Sequence, residues 1–100
     1  QITFSKEAVQ EMQEMREICR QMFDRLRQAP ENPEEWLQKI HDSENFIDKK
    51  TDEFYENHLE RIRKGLCNDE ACVVFSELLT DFERIGDHLW NIAKEMGKNY

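Results

Sequence analysis

Four acidic residues have the type and spacing to do chemistry together. Glu83 and Asp87 lie four apart in Phe82-Glu83-Arg84-Ile85-Gly86-Asp87-His88, with Asn91 one step further on. Glu44 and Asp48 lie four apart in Glu44-Asn45-Phe46-Ile47-Asp48. On a helix that spacing stacks side chains one above the other along one face. Hard oxygen donors at i and i+4 on two adjacent helices are what a metal site in a bundle requires. A structural reading competes with this one. In it Arg84 or another base closes the acids in an ion pair, and the Glu83–Asp87 ladder is a solvated face.

Other chemistries lack their residues. Ferritin-type di-iron oxidation needs Glu-x-x-His pairs, and none of His41, His58 and His88 has a glutamate three residues before it. There is no nucleophile elbow and no glycine-rich phosphate loop. Cys19, Cys67 and Cys72 are odd in number and irregular in spacing, so they are no disulfide framework and read as reduced thiols. Cys67 and Cys72 lack the second pair that a structural zinc site needs.

The elements that must position the acids are helices. Phe4, Ala8, Met12, Met15, Cys19, Met22 and Leu26 recur at steps of three and four, which predicts a helix over about 3–28, widened by Ile18 and Phe23. The methionines of this stripe read as core. Pro30 disfavours helical geometry at Ala29. Asn32, Pro33 and Glu35 then form a start signal, and Gly65 is a left-handed stop, giving a second helix over 33–64, about 48 Å long. A third helix over 69–96 carries the stripe Ala71, Phe75, Leu78, Phe82, Ile85, Leu89, Ile92 and Met96, ended by Gly97. Both connections are short, so neighbouring helices run antiparallel. The expected fold is all-α: one domain over 1–100, an antiparallel up-down-up three-helix bundle.

The second helix breaks the polarity pattern. Trp36, Leu37, Ile40, Ile47, Phe54, Tyr55, Leu59, Ile62 and Leu66 share an arc of about 140° at 100° per residue, and Glu44, Asp48, Thr51 and His58 fall inside it. Charges facing a core need a base, a donor or a cation. If the second and third helices fold back around Leu66–Cys67, facing residues have numbers summing to about 133. Glu44 and Asp48 then lie level with Arg84, Asp87 and His88. Either edge of the third helix could face the second: the Glu83–Asp87–Asn91 edge or the Glu77–Asp81–His88 edge. Gly86, inside the apolar arc, suits a close helix approach.

Asp81-Phe82-Glu83-Arg84-Ile85-Gly86-Asp87-His88, followed by Asn91-Ile92-Ala93, resembles the signature of the PhoU family of phosphate-regulatory helical proteins. The third helix of that family typically reads leucine-glutamate-arginine-isoleucine-glycine-aspartate-histidine, then asparagine-isoleucine-alanine. Glu44-Asn45-Phe46-Ile47-Asp48 is similar to the acidic motif on the family's second helix. The chain departs from the pattern at Leu89-Trp90, where a smaller pair is usual, and at Lys94, where an acid is common.

The resemblance implies a PhoU-like fold with a single repeat. It implies a cluster of iron or other divalent or trivalent metal held by Glu44, Asp48, Glu83 and Asp87. Domains of this kind also form the cytoplasmic C-terminal part of sodium/phosphate cotransporter-type proteins, and a chain opening on Gln1 rather than Met suits an excised domain of that sort. The expected function is therefore non-enzymatic regulation of inorganic phosphate transport, in the cytoplasm, as the soluble domain of an inner-membrane protein. Partners would be the transmembrane portion of the same chain or a phosphate-signalling protein. Full-length relatives carry six helices, so a homodimer is expected here. The alternatives are a structural dimerisation bundle and, behind it, a carboxylate-bridged metalloenzyme.

Composition agrees with an acid-rich, water-exposed surface. Of 100 residues 36% are charged and 38% hydrophobic, with a formal net charge of −8. The fourteen basic residues are spread along the chain, which speaks against nucleic acid as a partner. The longest apolar run, Ala71 to Phe75, is far short of the about 20 residues that span a bilayer.

Overall fold

A computed structural model describes residues 3–28 and 30–100. It contains three helices: α1 (Lys6–Leu26), α2 (Pro33–Arg63) and α3 (Asp69–Gly97). Each starts on a side-chain cap. Ser5 accepts from the Ala8 amide, Asn32 from Glu35 at 3.2 Å and Asn68 from Ala71 at 2.8 Å. The Ser5 cap explains why α1 starts at Lys6 rather than near Thr3. At the end of α2, Gly65 has φ of 68°, the Gly65 amide donates to Ile62 and the Leu66 amide donates to Arg61 at 2.9 Å. This pair of bonds satisfies two terminal carbonyls and reverses the chain. Gly97 belongs to α3 instead of terminating it, and the cap is Lys98. The expected break at Ala29 lies outside the described residues.

The helices form an elongated antiparallel up-down-up bundle of 51 × 22 × 18 Å. The polar ties between α1 and α2 run in opposite directions along the two chains: Glu11 to Arg61, Glu14 to Lys50 and Arg25 to Ser43. Trp36 closes the turn end by donating its indole N–H to the Arg25 carbonyl at 2.8 Å. Met15, Met22, Ile40, Ile47, Phe75 and Leu79 are fully buried along the axis, so two of the three α1 methionines are core and Met12 is half-buried against it. Thr51 satisfies its hydroxyl on the Ile47 carbonyl at 2.8 Å, and His58 packs against Phe75 with ring centroids 4.8 Å apart. Burial, then the Arg61 charge, hold His58 below its ordinary pKa, so the ring is neutral in the core. Buried Glu11 accepts from Arg61 at 2.7 Å and Asn57 at 2.8 Å, which leaves neither of its oxygens orphaned.

The inward face of α3 differs from the expected stripe. The buried set is Ala71, Phe75, Leu79, Gly86, Leu89 and Ala93, whereas Ile85 and Ile92 are 43% and 47% exposed. The cause is backbone proximity. A Cβ built on Gly86 would lie 3.1 Å from Ile47 Cδ1 and 3.3 Å from its Cγ2. The smallest residues of α3 therefore turn toward α2, and the larger Ile85 and Ile92 rotate outward. Tyr55, Ile62 and Leu66, expected in the α2 arc, are likewise exposed.

Gly86→Ala gains about 1 kcal/mol of helix propensity but overpacks a filled site, at about 1–3 kcal/mol. Net destabilisation of about 1 kcal/mol is expected in urea unfolding. The loss should shrink in an Ile47→Val background, which removes the nearer methyl. An equal loss in both backgrounds would show that this contact does not limit helix approach.

Candidate metal centre

The Ile47–Gly86 contact sets the register between α2 and α3. Ile47 meets Gly86 and His58 meets Phe75, so facing residue numbers sum to 133 in both places. The same register brings the acids level: Asp48 and Asp87 directly follow Ile47 and Gly86, and Glu44 and Glu83 lie three residues before that pair. Carboxylate oxygens of Glu44, Asp48 and Asp87 lie within 4.8 Å of one another. Glu83 is half-buried beside them, and its carboxyl feels Asp48, Asp87 and Asp52. The Glu83–Asp87 edge of α3 therefore faces α2. On the far side of α3, Asp81 and Arg84 are exposed and 4.0 Å apart.

His41 is the base whose charge reaches Glu44, and it forms no ion pair with the acids among the described residues. Among the described residues, no lysine or arginine forms an ion pair with Glu44, Asp48, Glu83 or Asp87. Lys50 pairs with Glu14 at 3.3 Å and Glu53 at 3.2 Å, and Arg61 pairs with Glu11. Arg84 points to Asp81, which overturns the reading in which it neutralises Glu44 or Asp48. Lys94 lies over the Trp90 ring at 5.4 Å, and Trp90 in turn stacks on His41 at 4.5 Å. Lys94 thus rests on Trp90 and forms no ion pair with the acids among the described residues.

The electrostatics follow from this crowding. Burial raises the Glu44 carboxyl above its ordinary pKa, and the charges of Asp48 and Asp87 add to the shift. Asp48 is raised by burial, then by Asp87 and Asp52. Glu83 is raised by burial, then by Asp48, Asp87 and Asp52. Glu44 and Asp87 are within hydrogen-bonding reach, so a proton on Glu44 can bridge them. A multivalent cation would do the same for more than two carboxylates at once. The donor set is all oxygen, which suits hard ions such as iron(III), manganese, magnesium or calcium over soft ones.

Two neighbours were not singled out from sequence. Asp52 continues the Glu44–Asp48 ladder by one more step of four, and that spacing was the signal for it. His41, one turn before Glu44, lowers the Glu44 pKa and so lies close to it.

A family model, that of the PhoU domain, matches residues 12–96, nearly the whole bundle. The chain belongs to the PhoU domain family. Neither a curated protein nor a solved structure gives a significant match. Among the described residues no helix of this PhoU domain is long and apolar enough to cross a membrane.

The raised carboxyl pKa values have a sign that can be read in stability. Acids protonated more readily in the folded state favour folding below their unfolded values of about 4, and that contribution is lost as pH rises through the folded values. Asp48→Asn and Glu44→Gln should therefore each raise the melting temperature of the metal-free domain at pH 7 and flatten its dependence between pH 4 and 7. A lower melting temperature for both variants at pH 7 would mean that like-charge crowding does not govern this level.

Proposed function

We propose that this PhoU domain is a non-enzymatic regulatory module that holds a hard metal ion or small metal cluster on Glu44, Asp48, Glu83 and Asp87. PhoU domains are associated with the regulation of phosphate transport, and the family is a regulatory one. The observation that carries the metal reading is the convergence of three carboxylates within 4.8 Å with no lysine or arginine paired to them among the described residues. Iron is the metal implied by the family resemblance, and the oxygen donors are compatible with it. On this reading the domain works on the cytoplasmic face of an inner-membrane sodium/phosphate cotransporter-type protein. It docks either to the transmembrane portion of the same chain or to a phosphate-signalling partner, and metal occupancy sets the shape of the α2–α3 face.

Untagged protein should bind iron, manganese, zinc or calcium at micromolar levels, as read by elemental analysis and titration. Glu83→Ala combined with Asp87→Ala should weaken binding by about tenfold or more. No binding of any of the four ions would remove the metal reading, and unchanged binding by the double variant would remove these ligands from it.

We further propose that the domain pairs with a second copy. Val9, Phe23, Ile85 and Ile92 are 38–52% exposed. Cys19 of α1 touches the Phe82 carbonyl of α3, and helical rotation puts Val9 and Phe23 on the same side of α1 as Cys19. Ile85 and Ile92 lie along the corresponding edge of α3, so the four residues form an apolar strip about the α1–α3 groove. Sedimentation at high micromolar concentration should give the mass of two chains, and Ile85→Lys with Ile92→Lys should restore the mass of one. A wild-type mass of one chain would overturn the pairing.

A further inference from the structure

The start of α3 sets two thiols at either end of its first turn, with the Cys67 Sγ toward the Asn68 carbonyl at 3.5 Å. Asn68 is the N-cap, its Oδ1 accepting from the Ala71 amide at 2.8 Å and its carbonyl accepting from the Cys72 amide at 2.9 Å. Counting from that cap, Cys67 is the residue before it and Cys72 is the fourth residue of the helix. Side chains at these two positions meet over the first helical turn, where two apolar residues usually pack as a staple. Here both members are cysteines, and the Cys72 thiol is within hydrogen-bonding reach of Cys67. Both are free and half-buried. Cys72 opens on an apolar groove of about 330 Å³ shared with Tyr55, Leu59, Ile62 and Val73. Cys19, by contrast, is sealed in the core with its Sγ toward the Phe82 carbonyl at 3.9 Å.

We propose that Cys67 and Cys72 form a reversible dithiol–disulfide site, oxidised by low-molecular-weight disulfides, across the turn that joins α2 to α3. The reaction is thiol–disulfide exchange. The Cys67 thiolate attacks one sulfur of the small disulfide, breaks its S–S bond and releases one small thiolate. Cys72 then loses its proton and attacks the Cys67 sulfur of the mixed disulfide, releasing the second. The two cysteines are oxidised by two electrons, the small disulfide is reduced to two thiols, and those thiols carry away both protons. Burial and then Cys67 push the Cys72 thiol up to about 11, which disfavours Cys72 as the first thiolate to attack. The product is a covalent ring around Asn68 beside the Gly65 reversal. It replaces a staple held by packing with one held by a bond, at the mouth of the groove between α2 and α3.

Oxidised glutathione is the probe, applied to the folded chain, followed by acid quenching, alkylation and mass mapping. The wild type should lose two hydrogens, with the Cys67 and Cys72 peptides linked and Cys19 alkylated only after unfolding. The Cys72→Ser variant should instead keep a glutathione adduct on Cys67, living about tenfold longer than any adduct on the wild type. Wild-type chains that keep the adduct on Cys67, or that link to one another through it, would overturn the proposal. The wild-type measurement decides the matter even if the variant fails to fold.

Discussion

The contact between Ile47 and Gly86 is the constraint on which the rest of this bundle depends. A branched side chain on α2 fills the place that a side chain on α3 would occupy, within 3.1 Å of where its Cβ would lie. That contact draws the two longest helices together and fixes their register. It also turns Ala93 inward and Ile85 outward, because small residues must face the close approach. Everything level with it, including the acids next to it and one turn before it on either helix, is positioned by the same contact.

The acidic level is costly to the isolated chain, and the distribution of bases shows why. Lys50 and Arg61, the α2 cations nearest the interior, tie α2 to α1 through Glu14 and Glu11. Arg84 and Lys94 on α3 are held by Asp81 and by the Trp90 ring. The α1–α2 interface is thus charge-matched, while the α2–α3 interface carries Glu44, Asp48, Asp52, Glu83 and Asp87 with no lysine or arginine paired to them among the described residues. Like charges this close raise one another's pKa until a proton or a cation arrives.

The molecule also leaves apolar surface uncovered in two places, the α1–α3 strip with Phe23 and Ile85 and the α2–α3 groove with Tyr55 and Val73. Three helices have only one shared axis to bury. Side chains that widen a helical stripe beyond that axis stay in solvent unless another surface meets them.

The sequence by itself determined the three helices, their ends to within a few residues, their antiparallel order and the 133 register. Local signals suffice for these: steps of three and four, asparagine caps, and a glycine stop followed by a short turn. Glu44, Asp48, Glu83 and Asp87 were legible for the same reason, since a spacing of four is a local property of a helix. Only the tertiary structure decided which edge of α3 faces α2, because that depends on how three helices wrap around one axis and not on any one of them. It alone decided that Arg84 turns away, that Asp52 joins the acids and that Lys94 rests on Trp90. It also chose Leu79, Gly86 and Ala93 over Leu78, Ile85 and Ile92 for the interior. Periodicity ranks residues by hydrophobicity, whereas close packing selects them by size, and at Gly86 size prevailed.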